Sequence, residues 1–288
     1  MGTRKGLFFL LAGLVAFFLF SGCRLWQNGR DYLLRRYYGV KEGVWLEDVL
    51  VEYYLEKEVR QAAKNIALQV NRPPQNASID RRTGEIIPEK PGLTVDVEAT
   101  VRKVLQAEKG MRLKVVTRPL WPRWKREDIA ALTREVGVFV TYAGGSEERW
   151  HNITLATCAL DRTLIYPGEV MSFNRIVGPR TPERGYKNAP IMTEGGFFLG
   201  PGGGVCQVAS TLYNAAVQAG LEVVERHRHA RPVGYVPPGQ DATVDFDSLD
   251  LKIKNNRPHP VLLRGEAAGR QVRFWFFFPA EEPPPQGR

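Results

Sequence analysis

The first part of the chain alternates between helical and strand-like patterns of hydrophobic residues. Apolar side chains recur at helical spacing from Val44 to Val70, and Asn71 to Pro74 ends this pattern. The elements predicted after it are a hairpin over residues 77–87, a helix that starts near Val97 and closes near Gly110, and a strand over 113–117. Pro119 to Pro122 then interrupts the patterns. We therefore predict a small α+β module over residues 40–120.

The second part of the chain is richer in glycine and aromatic residues. Its predicted elements are a strand over 136–142, a helix over 152–160, a glycine-rich loop over 195–204, a helix over 205–219 and strands over 221–229, 240–246, 250–254, 261–264 and 271–278. The aromatic run from Phe274 to Phe278 predicts a core strand rather than a platform for a ligand. We predict a mixed α/β domain over residues 125–278, an α+β class for the whole chain, and a disordered tail over 279–288.

Residues 1–23 have the pattern of a signal or anchor segment. A basic start precedes an uncharged apolar run from Leu7 to Phe20, which is shorter than the roughly 20 residues that a spanning helix needs. Ser21-Gly22-Cys23 follows and resembles a bacterial lipobox, in which the cysteine is acylated after cleavage; an uncleaved signal anchor is the alternative. The arginines between Arg24 and Arg36 favour the opposite topology, with the body in the cytoplasm, and this topology is the alternative. Our prediction is export and anchoring to the bacterial cytoplasmic membrane.

Composition and charge restrict the class of protein and its partners. The chain has 288 residues, of which 43% are hydrophobic and 25% charged, which is typical of a globular protein. Three cysteines are too few for a disulfide framework. Lys+Arg 40 against Asp+Glu 31 gives a net charge of +9, which suits an anionic wall polymer or membrane surface. Because zinc-finger spacing, an aromatic RNA-binding signature and a basic helix are all missing from the sequence, we expect no nucleic acid partner.

The strongest chemical signal is the segment from Gly202 to Gln207. Gly202, Gly203 and Gly204 allow the backbone, and therefore a substrate, to come close, and they deliver Cys206 to the first turn of the predicted helix. Free backbone N–H groups and the helix dipole stabilise a thiolate at that position. The same N–H groups, with the side chain of Gln207, are candidate donors to a developing oxyanion.

A histidine and a carboxylate follow this cysteine along the chain. His227 and His229 lie on the same face of a predicted strand and Asp241 lies on the next segment, which gives the order of a nucleophile, its base and the acid that orients the base. The alternatives for Cys206 are an inert buried side chain, a disulfide with Cys158, and a zinc site formed with His227, His229 and Asp241. We predict a catalytic Cys206, with a histidine of this strand as general base and Asp241 as its orienter, and no bound metal or cofactor. The remaining histidines, His151 and His259, are predicted to lie at the surface.

The second part of the chain resembles the VanW-like family, named from an accessory gene of some bacterial vancomycin-resistance clusters. The matching motifs lie between Thr141 and Leu263; they are Arg149, Asn152-Ile153, Pro167-Gly168-Glu169, Ser172-Phe173-Asn174, Val177-Gly178, Arg184-Gly185-Tyr186, Gly202 to Gln207, Ser210 to Asn214, Ala219-Gly220-Leu221, Glu225-Arg226 with His229, Tyr235-Val236-Pro237, Gly239 with Asp241-Ala242, and Asn255-Asn256. Within these motifs, Arg226 and Tyr235 join Gly202, Gly203, Gly204 and Gln207 as candidate substrate-binding residues. Cys158 and His227 depart from the family pattern, so the resemblance favours His229 as the general base that acts on Cys206.

The preceding region resembles the peptidoglycan-binding domain that often lies ahead of VanW-like domains. Asn76-Ala77, Gly84, Ile86, Pro88, Pro91-Gly92 and Asp96 carry this similarity. Together the two resemblances imply an exported, envelope-associated protein that acts at peptidoglycan, and they imply no mechanism. Two functions stay open: a cysteine-dependent hydrolase or transferase acting on wall peptide or amide bonds, and a non-catalytic wall-binding scaffold. The state of Cys206 separates them.

Overall fold

The computed structural model describes residues 30–193 and 196–281. The predicted signal or anchor segment, residues 1–23, and residues 282–288 of the predicted tail lie outside this range. Within it, no helix has both the length and the apolar character needed to cross a bilayer.

The described residues form short strands and helices that follow one another closely. The helices are α1 (residues 30–38), α2 (Glu56–Val70), α3 (Val97–Leu105), α4 (Arg126–Ala130), α5 (Glu147–Leu160), α6 (Phe173–Val177) and α7 (Val205–Gln218), with a 3-10 turn at Pro182–Arg184. The strands are β1 (Trp45–Leu46), β2 (Val49–Leu50), β3 (Ser78–Ile79), β4 (Ile86–Ile87), β5 (Gly92–Val95), β6 (Arg112–Leu113), β7 (Thr117–Leu120), β8 (Leu132–Tyr142), β9 (Thr163–Ile165), β10 (Val170–Ser172), β11 (Asn188–Thr193), β12 (Gly196–Pro201), β13 (Glu222–Glu225), β14 (Lys252–Lys254), β15 (Val261–Ala268) and β16 (Gln271–Pro279). The predicted α+β class is confirmed.

Unit 1, the first of two compact units, comprises residues up to Gln75 together with Lys90–Pro122. Its sheets have the orders β2-β1-β6 and β5-β7, and α2 packs against α3 and β5. Its core consists of small aliphatic side chains, among them Val44, Val59 and Val104, which are fully buried. This core suits a small domain with two helices and short strands.

The helix predicted from Val44 begins only at Glu56. Residues before it form the β1–β2 pair, with Glu47 and Tyr53 in left-handed turn conformations at φ 50° and 60°. The N-terminus of α2 is set by Glu58, whose carboxylate accepts the backbone N–H of Leu55 at 2.9 Å. Hydrophobic spacing over residues 44–55 therefore overestimated the helix, because turns can hold apolar side chains at similar intervals.

Unit 2 comprises residues 76–89 and those from Arg123 onward. The hairpin of β3 and β4, which we predicted within the first module, therefore belongs to unit 2. Ala77 is buried with Ile129 and Leu132, and its carbonyl accepts a hydrogen bond from the Tyr166 hydroxyl. The sequence pattern predicted a hairpin but contained no signal for the unit against which it packs.

The centre of unit 2 is an antiparallel sheet of order β8-β16-β15-β9, on which α5 and α7 pack. Phe274, Phe276 and Phe278 of β16 are at most 2% exposed, so the predicted core strand is confirmed. A second sheet has the order β10-β14-β13, and β11 and β12 form a hairpin. His259, predicted at the surface, is instead buried, with its ring 5.4 Å from that of Phe278.

Two predicted elements of unit 2 differ from the structure around the candidate site. Most of the predicted glycine-rich loop is strand β12, so the loop itself is only Gly202–Gly204. The strand predicted over 221–229 ends at Glu225, and residues 240–246 form only isolated bridges, such as His227 with Thr243. His229 and Asp241 therefore lie in irregular segments, which are common locations for functional side chains.

Candidate active site

The three glycines before α7 each meet a different steric requirement. Gly202 and Gly204 have φ of 91° and 105°, a region that side chains other than glycine rarely adopt. Gly203 lies so close to the β11 backbone that an added Cβ would be 2.7 Å from the carbonyl oxygens of Ala189 and Pro190. The loop therefore depends on glycine at all three positions, and it places Cys206 in the first turn of α7.

Asn152 of α5 holds this loop from behind. Its side chain is fully buried and donates to the carbonyls of Lys187 and Gly203 at 2.8 and 3.1 Å. Its Oδ1 accepts the backbone N–H of Lys187 at 2.8 Å. A buried amide with its hydrogen bonds satisfied fixes the position of the segments that it joins.

Cys206 is partly exposed and its thiol has several polar neighbours. Its Sγ lies 3.5 Å from Thr243 Oγ1 and 3.6 Å from the Val244 carbonyl oxygen, and it also forms a hydrogen bond with the side chain of His229. Burial raises the pKa of the Cys206 thiol, but the hydrogen bond with His229 is prominent among contacts that lower it, and the net pKa lies below the ordinary value. The thiolate of Cys206 is therefore more stable than that of an ordinary cysteine.

His229 connects this thiol to a carboxylate. Its Nδ1 lies 2.8 Å from Asp241 Oδ2, and its backbone N–H donates to the same oxygen at 2.7 Å. Burial lowers the pKa of His229, but its hydrogen bonds with Cys206 and Asp241 outweigh this effect and raise the pKa. Burial alone would raise the pKa of Asp241, and the two bonds from His229 help to bring it below its ordinary value. Cys206, His229 and Asp241 thus form one hydrogen-bonded series.

Helix α7 also positions the segment that carries Asp241. Ser210 Oγ, one turn after Cys206, accepts the backbone N–H of Ala242 at 2.8 Å, and Asn214 Nδ2 donates to the Gln240 carbonyl at 2.7 Å. Both side chains are buried. The same helix therefore supplies the thiol and fixes the carboxylate segment.

Arg226 supports Asp241 from the other side. Its Nε donates to the Asp241 carbonyl at 2.8 Å, its Nη2 lies 3.6 Å from the carboxylate, and its guanidinium lies 4.4 Å from the Tyr213 ring centroid. We predicted Arg226 as a substrate-binding residue. These contacts give it instead the position of a residue that orients Asp241.

The thiol lies in a cleft of about 720 Å³. Its walls include all three loop glycines, Gln207, His229 and the predicted substrate-binding residue Tyr235, together with two arginines, Arg149 and Arg180. Burial dominates the environment of Tyr235 and raises the pKa of its hydroxyl well above the ordinary value, so this group is a neutral hydrogen-bonding partner. The cleft is large enough for a peptide-sized ligand.

Gln207 has a different role from the one predicted. The side chain is 1% exposed, its Oε1 accepts from Arg149 Nη2 at 2.9 Å, and its Nε2 donates to Thr141 Oγ1 at 3.0 Å. The amide therefore holds Arg149 in place and is not free to donate to an oxyanion. In the first turn of α7, the backbone N–H groups of Val205 and Gln207 already donate to the carbonyls of Gly202 and Gly204 at 3.1 and 3.0 Å. The backbone N–H of Cys206 is therefore the candidate donor in this turn.

Cys158 and His227 are not part of this arrangement. Cys158 is a free, exposed cysteine and Cys206 is also free, so the alternative of a disulfide between them is wrong in this structure. His227 Nε2 lies 3.0 Å from Glu225 Oε1, away from the thiol. Over residues 30–193 and 196–281, no cluster of three or more His, Cys, Asp or Glu side chains has metal-binding geometry.

Sequence reasoning missed two features of the cleft. Arg149 appeared only as a residue of the resembling motifs, and Arg180 carried no signal because a lone arginine after Gly178-Pro179 has the pattern of a surface residue. Thr243 and Val244 were assigned to a strand, and their contacts with the thiol depend on a loop that hydrophobic spacing does not predict. Each of these residues reaches the site through the fold and not through a local motif.

Comparisons with known proteins agree with this architecture. The family described as "VanW like protein" matches residues 148–277, and "Putative peptidoglycan binding domain" matches residues 37–116. The chain is 38% identical over 211 residues to "Uncharacterized protein YoaR" of Bacillus subtilis, covering 72% of this chain and 69% of that protein. It is 29% identical over 134 residues to "Vancomycin B-type resistance protein VanW" of Enterococcus faecalis, covering 45% of this chain and 48% of that protein. No solved structure matches significantly.

The chain therefore belongs to the VanW-like family and carries a domain of the peptidoglycan-binding type ahead of its VanW-like domain. This combination associates the protein with the cell wall, outside the cytoplasm. The cleft with Cys206 lies in the VanW-like domain.

Proposed function

We propose that the VanW-like domain is a cysteine-dependent hydrolase or transferase that acts on peptide or amide bonds of the cell wall. The observation that carries this proposal is the hydrogen-bonded series from Cys206 through His229 to Asp241, placed in a cleft. A nucleophile, a base within hydrogen-bonding reach and a group that orients the base are the requirements of covalent acyl transfer.

In the proposed reaction, the Cys206 thiolate attacks the acyl carbon of an amide, and the backbone N–H of Cys206 in the first turn of α7 stabilises the oxyanion. The C–N bond then breaks, the imidazolium of His229 gives its proton to the leaving amine, and the acyl group stays on sulfur as a thioester. Water or a second amine attacks this thioester while His229 accepts the proton of the nucleophile. The thiolate leaves, which completes hydrolysis with water or transfer with an amine.

The experiment is a digest of purified peptidoglycan with the full chain, followed by mass spectrometry. Wild type should release or transfer peptide fragments, and rapid acid quenching should trap an acyl adduct on the peptide containing Cys206. Cys206→Ala should do neither. Cys158→Ala, which removes a free cysteine outside the cleft lining, is the matched control and should retain activity. Equal release by wild type and Cys206→Ala would contradict the proposal.

A second candidate is a non-catalytic wall-binding protein, and an open groove of about 470 Å³ in unit 1 favours it. The groove runs along α2 and is lined by three amide side chains one turn apart, Gln61, Asn65 and Gln69, beside apolar Ile66. Amides next to apolar surface suit neutral, hydrogen-bonding groups of a wall polymer.

Purified wall sacculi should retain the full chain at low salt, where charge attraction is least screened. Gln61→Ala with Asn65→Ala should weaken retention while leaving Cys206 chemistry intact. Loss of retention in these variants with no turnover by wild type supports the scaffold. Full retention in the variants excludes the groove as the binding surface.

We also propose that residues 1–23 export the chain and anchor it to the cytoplasmic membrane. The support is the apolar run before Cys23 together with the wall-associated family. Protease added to sealed cells should digest both units. Survival of the whole body in such cells would contradict export.

A further inference from the structure

Two arginines flank the glycine loop that presents Cys206. Arg180 packs on one end of the loop, where a Cβ on Gly202 would lie 2.7 Å from its Cβ. Arg149 packs on the other end, where a Cβ on Gly204 would lie 3.0 Å from its Cγ. Both side chains line the cleft. The glycines therefore let two arginine side chains pack against the loop that precedes the nucleophile.

Neither guanidinium forms an ion pair with a carboxylate in the described part of the chain. Arg149 donates to the Gln207 amide and, at 3.2 Å, to the Gly144 carbonyl. Arg180 donates to Asn174 Oδ1 at 2.6 Å, lies 5.5 and 5.9 Å from the ring centroids of Phe173 and Phe246, and has a buried Nη1 without a hydrogen-bond partner. Burial lowers the pKa of both groups. Desolvated cations without an anion are costly.

We propose that Arg149 and Arg180 recognise a carboxylate on the substrate, next to the bond that Cys206 attacks. This inference rests on the proposed function and adds the substrate class, a peptide whose free C-terminal carboxylate is adjacent to the scissile bond. Arginine is suited to this role because its planar guanidinium binds carboxylates through parallel hydrogen bonds. A bound carboxylate would accept a hydrogen bond from the unpartnered Nη1 of Arg180 and would offset part of the cost of desolvating both guanidinium groups.

Nearby carboxylates of the protein determine how much each arginine is expected to contribute to the binding of an anion. Asp245 and Asp250 act electrostatically on Arg180, and Asp245 and Asp247 also line the cleft. The titratable groups that act electrostatically on Arg149 are Tyr235 and the thiol itself. Arg149 is therefore expected to contribute more than Arg180 to the binding of an anion.

Alkylation of the full chain by two reagents of similar size tests this inference. Iodoacetate carries a carboxylate and iodoacetamide is neutral; in both, the thiolate forms a C–S bond, the C–I bond breaks and iodide leaves. Peptide-level mass spectrometry gives separate rates for Cys206 and for Cys158, which is the control in the same chain. We expect the ratio of the iodoacetate rate to the iodoacetamide rate to be on the order of tenfold higher at Cys206 than at Cys158.

Variants then assign the effect to the arginines. Arg149→Gln should lower the ratio at Cys206 most, Arg180→Gln should lower it less, and Arg175→Gln, which removes an exposed charge outside the cleft lining, should leave it unchanged. Equal ratios at Cys206 and Cys158 in wild type would overturn carboxylate recognition, and this outcome needs no variant. Equal slowing of both reagents by Arg149→Gln would also overturn it, since the arginine would then only stabilise the thiolate.

Failure of the proposed function would give a different labelling result at Cys206. If Cys206 is not a nucleophile, both reagents will leave it unmodified in the folded chain, and the ratio cannot be raised. A reactive Cys206 with an ordinary ratio separates the two claims: the nucleophile stands and the carboxylate site falls.

Discussion

The cationic side chains of unit 1 and those of the candidate site in unit 2 have different kinds of partner. In unit 1, exposed cations meet carboxylates: Arg35 lies 2.7 Å from Glu58, and Lys41 lies 2.6 Å from Glu108. In unit 2, Arg149 and Arg180 are more buried, and their hydrogen-bond partners are amides and carbonyls. Unit 2 also has ion pairs, such as that of Arg264 with Asp161 at 2.8 Å. The difference therefore concerns Arg149 and Arg180, whose charge we propose is available to a ligand.

The two units also differ in the packing of buried polar groups. The core of unit 1 is almost wholly aliphatic, while α7 of unit 2 buries Gln207, Ser210, Thr211 and Asn214 beside its apolar face. Burial of polar groups costs free energy unless hydrogen bonds satisfy them. Unit 2 satisfies them with bonds that place Arg149 and the Asp241 segment, so its buried polarity is concentrated where the chemistry is proposed.

The largest expected effect is on the free energy of unfolding, and it tests whether the two cores are separate. Phe276→Ala removes a fully buried aromatic ring from the unit 2 sheet and should lower the free energy of unfolding of that unit by about 3–5 kcal/mol. Urea unfolding measures the loss, and native-state hydrogen exchange at Val59 should show that unit 1 is unaffected. Leu68→Ala, at a side chain that is 85% exposed, is the control and should change stability by less than about 0.5 kcal/mol. A loss of protection at Val59 would contradict separate cores.

The next effect concerns the glycine loop. Gly203→Ala places a Cβ 2.7 Å from two backbone oxygens of β11 and should cost about 1–3 kcal/mol of unit 2 stability. Gly144→Ala is a matched control, because its Cβ would meet no atom within 4 Å. Thermal unfolding of the two variants measures the difference. Equal stability would show that the loop tolerates a side chain and is not held against β11.

Much of the fold could be predicted from local patterns, and part of the site could be predicted from residue types. Phe274 to Phe278 predicted a core strand because consecutive aromatic residues are rarely left in solvent. Cys206, a histidine of the following strand and Asp241 could be proposed from glycine spacing, helix position and chain order, and the family resemblance favoured His229. Their distances could not be predicted, because they depend on Ser210 and Asn214 holding a segment that is distant in sequence.

Other features required the three-dimensional structure. Gln207 was predicted to face a substrate, but its side chain forms hydrogen bonds with Arg149 and Thr141 instead. Both partners are distant in sequence, so the local pattern does not predict this orientation. The 76–89 hairpin was predicted correctly as an element and placed in the wrong unit, since its contacts with Ile129 and Tyr166 are long-range. Local sequence signals do not encode such contacts.

A smaller effect tests the role of Asp241. Asp241→Asn keeps the shape of the side chain but removes the charge that favours the protonated form of His229. The pKa of His229 should fall, and the apparent pKa of Cys206 should rise by about one unit because the thiolate loses a cationic partner. The pH profile of iodoacetamide labelling measures this shift. An unchanged profile would mean that Asp241 does not act on the thiol through His229.

The smallest effect belongs to unit 1. Glu58→Gln keeps an oxygen that caps the N-terminus of α2 but loses the ion pair with Arg35, so the variant should be slightly less stable at neutral pH. The hydrogen bond with Arg35 lowers the pKa of Glu58. Its stabilising contribution is therefore present above the unfolded pKa of about 4.3 and is lost as pH falls through the folded value.

Urea midpoints of Glu58→Gln and wild type should differ at pH 7 and converge as the solution is acidified below about pH 4. Labelling of Cys206 should be the same in both proteins. A changed pH profile of Cys206 labelling would contradict the claim that the ion pair between Arg35 and Glu58 affects only folding.

The most direct test of the central claim is the rate of iodoacetamide labelling of Cys206 in the folded chain as a function of pH. Hydrogen bonding with His229 predicts an apparent pKa below the ordinary value of about 8.5. Cys158, whose pKa burial raises, should titrate at higher pH in the same sample. His229→Ala should move the Cys206 profile upward and leave that of Cys158 in place. A Cys206 that stays unlabelled until the chain is unfolded, or that titrates with Cys158, would contradict the account.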